Sequence, residues 1–163
     1  MKKMNFKKGF TLIELLVVVA IIGILATVVL SSVNSARTKA GDAAVKSNLG
    51  TVRSQSEVFY SNNGNSYLPA GGAIHTIQAC PTPYNAGGSN MLVRDRNMFD
   101  AIVQATAKGS GVNSCYNSSG LWAVAVGLKS NANLSWCVDS GGASKQVASA
   151  PGSAIDVATF DCN

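Results

Sequence analysis

The chain has 163 residues and a formal net charge of +5, with 47% apolar and only 13% charged residues, against about 25% charged in an average globular domain. That composition excludes an intrinsically disordered polyelectrolyte, which combines low hydrophobicity with high net charge. It also argues against a nucleic-acid partner, because the basic excess sits at one tip. Lys2, Lys3, Lys7 and Lys8 precede Gly9 with no acid among them, and the remainder is close to neutral. Beyond Gly9 the sequence holds no basic patch with interleaved aromatics of the kind that grips phosphates.

The first predicted element covers residues 10–33, FTLIELLVVVAIIGILATVVLSSV, which carry one charge, Glu14. Leu15 to Val33 is uncharged, and at a helical rise of 1.5 Å per residue it covers about 28 Å, close to a bilayer's hydrocarbon core. This is longer than the apolar region of about 7–15 residues in a secretory signal peptide, so a retained membrane-spanning helix is expected. The lysines before it, against Arg37 and Lys39 after it, place the N-terminus in the cytoplasm and export everything after about Asn34. Glu14 is the anomaly, since a carboxylate within a bilayer costs upward of about 2.5 kcal/mol. Either it reaches water at the interface or it has a cationic partner. A cut just before Phe10 would create one: an α-amino group one turn away in the same chain, or on a neighbouring copy. Pairing to a neighbour would act as a register device, since buried ion pairs set specificity more reliably than stability.

The run Lys7-Lys8-Gly9-Phe10-Thr11-Leu12-Ile13-Glu14-Leu15-Leu16-Val17-Val18 resembles the processing motif of type IV prepilins and of the related type II secretion pseudopilins. The resemblance implies that residues 1–9 are a leader removed by a membrane prepilin peptidase between Gly9 and Phe10. It further implies that the new Phe10 amine is N-methylated and that Glu14 pairs with the terminal amine of a neighbouring subunit. The apolar helix would then pack with its copies in a filament core, where Ala20, Gly23, Ala26 and Ala36 allow close approach. Many type IV pilins carry a proline eight residues after the position of Gly23. Ser31 stands there in this chain, so a kink tied to that proline is not carried over.

The helical pattern continues past the apolar run. Val45, Leu49, Val52, Ser56 and Phe59 recur at helical spacing, an apolar stripe with one polar break. Asp42 with Lys46 and Arg53 with Glu57 form predicted (i, i+4) ion pairs, and Gly41 or Gly50 could mark a bend. One helix is therefore expected from Phe10 to about Tyr60, with residues 34–60 amphipathic, ending at the turn-rich Ser61-Asn62-Asn63-Gly64-Asn65.

Residues 61–163 form the predicted head. Met98, Phe99, Ile102, Val103 and Thr106 share one face of a short helix over Asp95 to Lys108. Leu121 to Leu128 reads as a strand, joined by the turn Lys129 to Asn133 to a partner strand, Leu134 to Asp139. Lys145 to Ala148 and Asp156 to Phe160 are weaker strand candidates. The fold class is α+β: a long N-terminal helix packed on a small antiparallel sheet, the plan that type IV pilins share. Cys80, Cys115, Cys137 and Cys162 all fall in the exported part, where an even number favours two disulfides. The count leaves three connectivities open. The resemblance favours Cys137–Cys162, like the C-terminal loop disulfide of many pilins, with Cys80–Cys115 closing the loop-and-helix region.

No enzymatic constellation is present. His75 is the single histidine, in a Gly- and Ala-rich loop, and is expected at the surface. Asp139, Asp156 and Asp161 lack a calcium-loop spacing, and the cysteines lack the close pairs of a zinc site. Gly109-Ser110-Gly111 reads as a flexible loop, and Trp122 and Trp136 as sheet packing. Asn117-Ser118-Ser119 and Asn133-Leu134-Ser135 match glycosylation acceptors. No cofactor and no metal are expected. The function implied is that of a structural pilus subunit. Its expected partners are other copies of itself, a prepilin peptidase and methyltransferase, the inner-membrane assembly machinery, and the membrane before assembly. It would begin as a single-pass inner-membrane precursor and end in an extracellular pilus, where adhesion or motility would be properties of the fibre. A secretion pseudopilus subunit is the alternative reading, and a DNA-uptake pilin a lower one, since the head is nearly neutral.

Overall fold

The computed structural model describes residues 9–163, so the four lysines of the predicted leader lie outside the described residues. Helix α1 runs from Leu12 to Asn62. It ends two residues beyond the expected Tyr60, where Gly64 and Asn65 take positive φ values of 65° and 59°. The N–H groups of Asn63 and Asn65 then donate to the Tyr60 carbonyl at 3.2 and 3.0 Å, which satisfies an otherwise orphaned acceptor. Neither Gly41 nor Gly50 interrupts the helix.

The chain divides into two compact units, one ending at Arg37 and the other running from Thr38 to Asn163. In the first, the apolar side chains from Phe10 to Leu30 are solvent-exposed. A window of this helix has a mean hydropathy of 3.0, long and apolar enough to cross a membrane.

The second unit is built on a five-stranded antiparallel sheet in the order β1-β2-β3-β4-β5, that is, in chain order. The strands are β1 (His75–Gln78), β2 (Asn113–Asn117), β3 (Trp122–Gly127), β4 (Ser135–Asp139) and β5 (Ser144–Val147). Helices α2 (Met91–Arg94) and α3 (Arg96–Lys108) lie between β1 and β2, and α4 (Pro151–Ala154) follows β5. Asp95 caps α3, its carboxylate accepting the Met98 N–H at 2.9 Å, and Asn90 caps α2 in the same way.

The central strand β3 is buried along its whole length because both faces of the sheet are covered. Trp122, Val124 and Val126 point into the main core. There they meet Val45, Leu49 and Val52 of α1, together with Met98, Ala101, Ile102 and Ala105 of α3. Ala123 and Ala125 point the other way, into a second cluster with Cys137, Val147, Ala154, Ile155 and Cys162. The alternation is that of any strand, but here the polar face is replaced by small residues that admit the C-terminal segment. The predicted stripe on α1 is the buried one: Val45, Leu49, Val52 and Ser56 are fully inaccessible and Phe59 packs at the margin. Ser56 donates its hydroxyl to the Arg53 carbonyl at 2.7 Å, which is how a polar residue is tolerated there.

Several expectations are corrected. The Asp42–Lys46 and Arg53–Glu57 ion pairs are replaced by other partners. Asp42 accepts the N–H groups of Lys129 and Ser130 at 2.7 and 3.2 Å. The Lys46 ammonium lies 4.6 Å from the Trp136 ring centroid, and Glu57 accepts the Tyr67 hydroxyl at 2.9 Å. An (i, i+4) ion pair does form, in α3, between Arg96 and Asp100 at 2.8 Å. Strands β1 and β2 and helices α2 and α4 were not expected. Asp156 to Phe160 is a turn rather than a strand, because the Asp156 carboxylate accepts the N–H groups of Ala158 and Thr159. The local backbone is thereby closed on itself and unavailable to a sheet ladder. A single bridge, Ile155 with Cys162, joins the ends of that turn.

Candidate processing and assembly site

Gly9, Phe10 and Thr11 precede the first helical residue and have no regular secondary structure. Thr11 has the bonds of an N-cap: its carbonyl accepts the Leu15 N–H at 3.3 Å. Its side chain and that of Glu14 then exchange hydrogen bonds. The Glu14 N–H donates to Thr11 Oγ1 at 3.3 Å, while Glu14 Oε2 accepts the Thr11 N–H at 2.8 Å and the Thr11 hydroxyl at 2.7 Å. This is a capping box, which satisfies two orphan donors of a helix start reciprocally. The Thr-x-x-Glu spacing of Thr11 and Glu14 is the sequence signature of this arrangement, although Glu14 is read above only as a charge. The Glu14 carboxylate is thus fixed on the helix before any second chain approaches it. Phe10, Ile13, Val17 and Val18 form an open apolar groove with Glu14 on its lining.

Gly9 is exposed, and a Cβ built on it would meet no atom of the described residues within 4 Å. Among the described residues, no packing contact demands glycine at this position. The bond between Gly9 and Phe10 lies in exposed backbone without regular secondary structure.

The remaining singled-out residues are far from this segment in sequence and serve the head. Cys80 is bonded to Cys115 and Cys137 to Cys162. The two bridges sit on opposite faces of the sheet: Cys115 points into the main core beside Val124, and Cys137 into the smaller cluster beside Ala125. His75 is a correction. It is buried at the start of edge strand β1 rather than at the surface. Its Nε2 lies 3.2 Å from the Ala79 carbonyl oxygen and its Nδ1 3.4 Å from the Gln78 amide. Loss of solvent pushes its pKa below the usual histidine value, and the Ala79 carbonyl opposes that only in part.

Tyr67 packs edge-on against Trp122 and tilted against Tyr60. Burial, and then the Glu57 carboxylate that accepts its hydroxyl, push its pKa up to about 12. Trp122 is fully buried and Trp136 partly so, both against the main core.

The three late acids do not converge on a common point. Asp139 is buried and accepts the N–H groups of Ala143 and Cys162 at 2.9 and 2.8 Å. Asp156 holds the turn described above, and those N–H groups lower its pKa. Asp161 accepts the Thr159 hydroxyl. Of the two glycosylation acceptors, Asn117 is fully buried, bonded to the Met91 N–H and the Tyr67 carbonyl. Asn133 is exposed in the turn before β4.

Comparison with known proteins converges on the same N-terminal segment. Residues 4–30 match the family model described as the prokaryotic N-terminal methylation motif. The chain is 40% identical over 82 residues to the type IV wide pilus major component PilA4 of Thermus thermophilus, an alignment covering 50% of this chain and 62% of that one. It is 31% identical to the fimbrial protein EcpC of Eikenella corrodens over 80% of both chains. With the type IV major pilin PilE1 of Neisseria gonorrhoeae it shares 29% identity over 81% of this chain and 69% of the other. No solved structure matches it significantly. A methylation-motif N-terminus on an apolar helix, a meander head, and a fimbrial relative matched along four fifths of both chains place this protein in the type IV pilin family.

Proposed function

We propose that the protein is the structural subunit of a type IV pilus, made as a precursor that a prepilin peptidase cuts between Gly9 and Phe10. The Phe10 amine is then methylated, residues 10–33 anchor the subunit in the membrane, and the same helix packs with its copies in the filament core. The observation that carries this reading is the segment Gly9 to Glu14. It combines exposed, irregular backbone at the proposed cut, a glycine whose Cβ would meet no described atom within 4 Å, and a carboxylate held by Thr11 one turn from the amine that the cut would release.

The physical logic rests on one surface serving two solvents. An apolar helix is satisfied by lipid tails, and equally by a bundle of like helices. Extraction from the membrane therefore exchanges one apolar environment for another. Glu14 is the one group on that surface that does not tolerate either without a cation, and the terminal amine of a neighbouring copy supplies it at a defined axial offset. A secretion-pseudopilus role has no observation of its own here, and the relatives matched are pilus and fimbrial proteins.

Mass spectrometry of sheared surface filaments tests the proposal. The subunit is expected to begin at Phe10 with one added methyl group. A filament subunit that begins at Met1, or a soluble product lacking residues 10–33, overturns it.

A further inference from the structure

We propose that the groove between α1 and α3 in the second unit binds a neutral oligosaccharide, held between two facing rows of polar side chains. The inference goes beyond the pilus reading and does not depend on it, since every residue it uses lies within the second unit.

The two rows have the same spacing. Asn48, Thr51 and Gln55 stand at i, i+3 and i+7 on α1, and Asn97, Asp100 and Gln104 repeat that spacing on α3. Residues so spaced share one face of a helix, and each row extends about 10 Å along its axis. With Ala101 they line an open groove of about 410 Å³, inside the range of roughly 300–1,000 Å³ usual for small-ligand sites. Each row adjoins the one its helix buries, Val45, Leu49 and Val52 on α1 and Met98, Ile102 and Ala105 on α3. The core thereby anchors both helices beneath the groove.

The polar groups in the rows are largely unspent. Among the described residues the carboxamides of Asn48, Gln55, Asn97 and Gln104 make no hydrogen bond. Asn48 and Gln55 are half-buried, and Asn97 and Gln104 are exposed. Each carboxamide offers two donors and an acceptor, which matches adjacent hydroxyls of a sugar ring, since each hydroxyl both donates and accepts. Asp100 is already oriented. Arg96 holds its Oδ2 at 2.8 Å, and the Arg96 guanidinium in turn lies 4.8 Å from the Tyr84 ring centroid. Oδ1 is left to accept from a ligand.

The same chemistry argues against other occupants. The lining holds no lysine or arginine to grip a phosphate chain. Its single carboxylate is already paired, whereas a hard cation gathers several oxygen ligands. A protein partner seats an apolar or aromatic core, and Ala101 is the one apolar residue on the lining. A neutral, polyhydroxylated chain is the occupant whose groups these rows satisfy. With no ring on the lining to stack against it, the expected dissociation constant is weak, about 1 mM.

The test titrates the nitrogen-labelled full chain, in detergent micelles, with maltohexaose, cellohexaose and chitohexaose. The side-chain amide resonances of Asn48, Gln55, Asn97 and Gln104 are expected to shift together and saturably with at least one of the three sugars, and added salt is expected to leave the titration unchanged. Gln104→Ala is expected to weaken that binding about fivefold, the loss of one neutral hydrogen bond. Alanine is the better helix former at an exposed position, so an unchanged melting temperature is expected alongside. Absence of a saturable shift with all three sugars overturns the proposal, as does binding that salt abolishes. A Gln104→Ala chain that binds like the wild type also overturns it. So do shifts of the same resonances that follow protein concentration without sugar, which would assign the groove to a contact between copies.

Discussion

Thr11 and Glu14 are read together once their reciprocal hydrogen bonds are seen, and this divides the work of Glu14 into a helix cap and a charge. The two are separable. Glu14→Gln keeps an N3 side chain that can cap but removes the charge, whereas Glu14→Val removes both. Both variants are expected to be cut normally and to yield few filaments, as counted by electron microscopy. Wild-type filament numbers from Glu14→Gln would show that the charge is not what assembly requires. Gly9→Val is expected to leave an uncut precursor, visible as a larger band in the membrane fraction. A Cβ at Gly9 would meet no described atom within 4 Å, so failure of cleavage would report on recognition by the peptidase. Gly41 is the opposite case. A Cβ there would sit 2.8 Å from a backbone carbonyl of α3, and Gly41→Ala is expected to cost about 1–3 kcal/mol in denaturant unfolding. Tyr67 supplies a pH signature. Its folded pKa is raised from the ordinary 10.0 to about 12, so the neutral phenol favours the folded state. That contribution is intact below pH 10 and is lost as pH rises toward 12, on the order of 2 kcal/mol in all. Tyr67→Phe is expected to flatten this alkaline loss in thermal melts followed between pH 9 and 12.

Among the elements, β3 shows how far local pattern reaches. Its run of Trp, Val and Ala announced a strand, and a strand buried on both faces reads as a continuous apolar run rather than an alternation. Its neighbour β2, Asn-Ser-Cys-Tyr-Asn, carries no such signal. Those residues form a strand because β3 offers them a full antiparallel register from Asn113 with Val126 to Asn117 with Trp122. Asn113 and Asn117 earn their places through side chains that bond the Cys80 N–H and the Tyr67 carbonyl across the core. The C-terminal segment is held in a comparable way, by Cys162 bonded to Cys137 and by its N–H given to the buried Asp139. Replacing Cys137 and Cys162 together by alanine is expected to lower stability by about 3 kcal/mol on loop-closure entropy, measured by chemical unfolding with the other disulfide intact.

For the whole molecule, the two units answer to different solvents. The first exposes a continuous apolar surface, which a soluble monomer rarely does and which a membrane or a bundle of copies covers. The second buries its apolar stripe against its own sheet. Helix α1 serves both, and the change in its sequence, from residues apolar all round to a stripe at Val45, Leu49 and Val52, marks where one solvent gives way to the other.

That change is what the linear order of residues determined by itself. Hydrophobicity summed over a helix length, a charge at a fixed offset from Gly9, and an apolar stripe at helical spacing are all local quantities. They were sufficient for the long helix, the N-terminal methylation motif, the α+β class and the central hairpin. Tertiary structure decided what depended on partners distant in sequence: the polar strand β2 and edge strand β1, the burial of His75, and the replacement of two surface ion pairs by backbone and aromatic partners. The physical reason is the same in each case. A polar group's place is set by whichever donor, acceptor or ring the folded chain brings to it, and nothing in its immediate sequence specifies which one that will be.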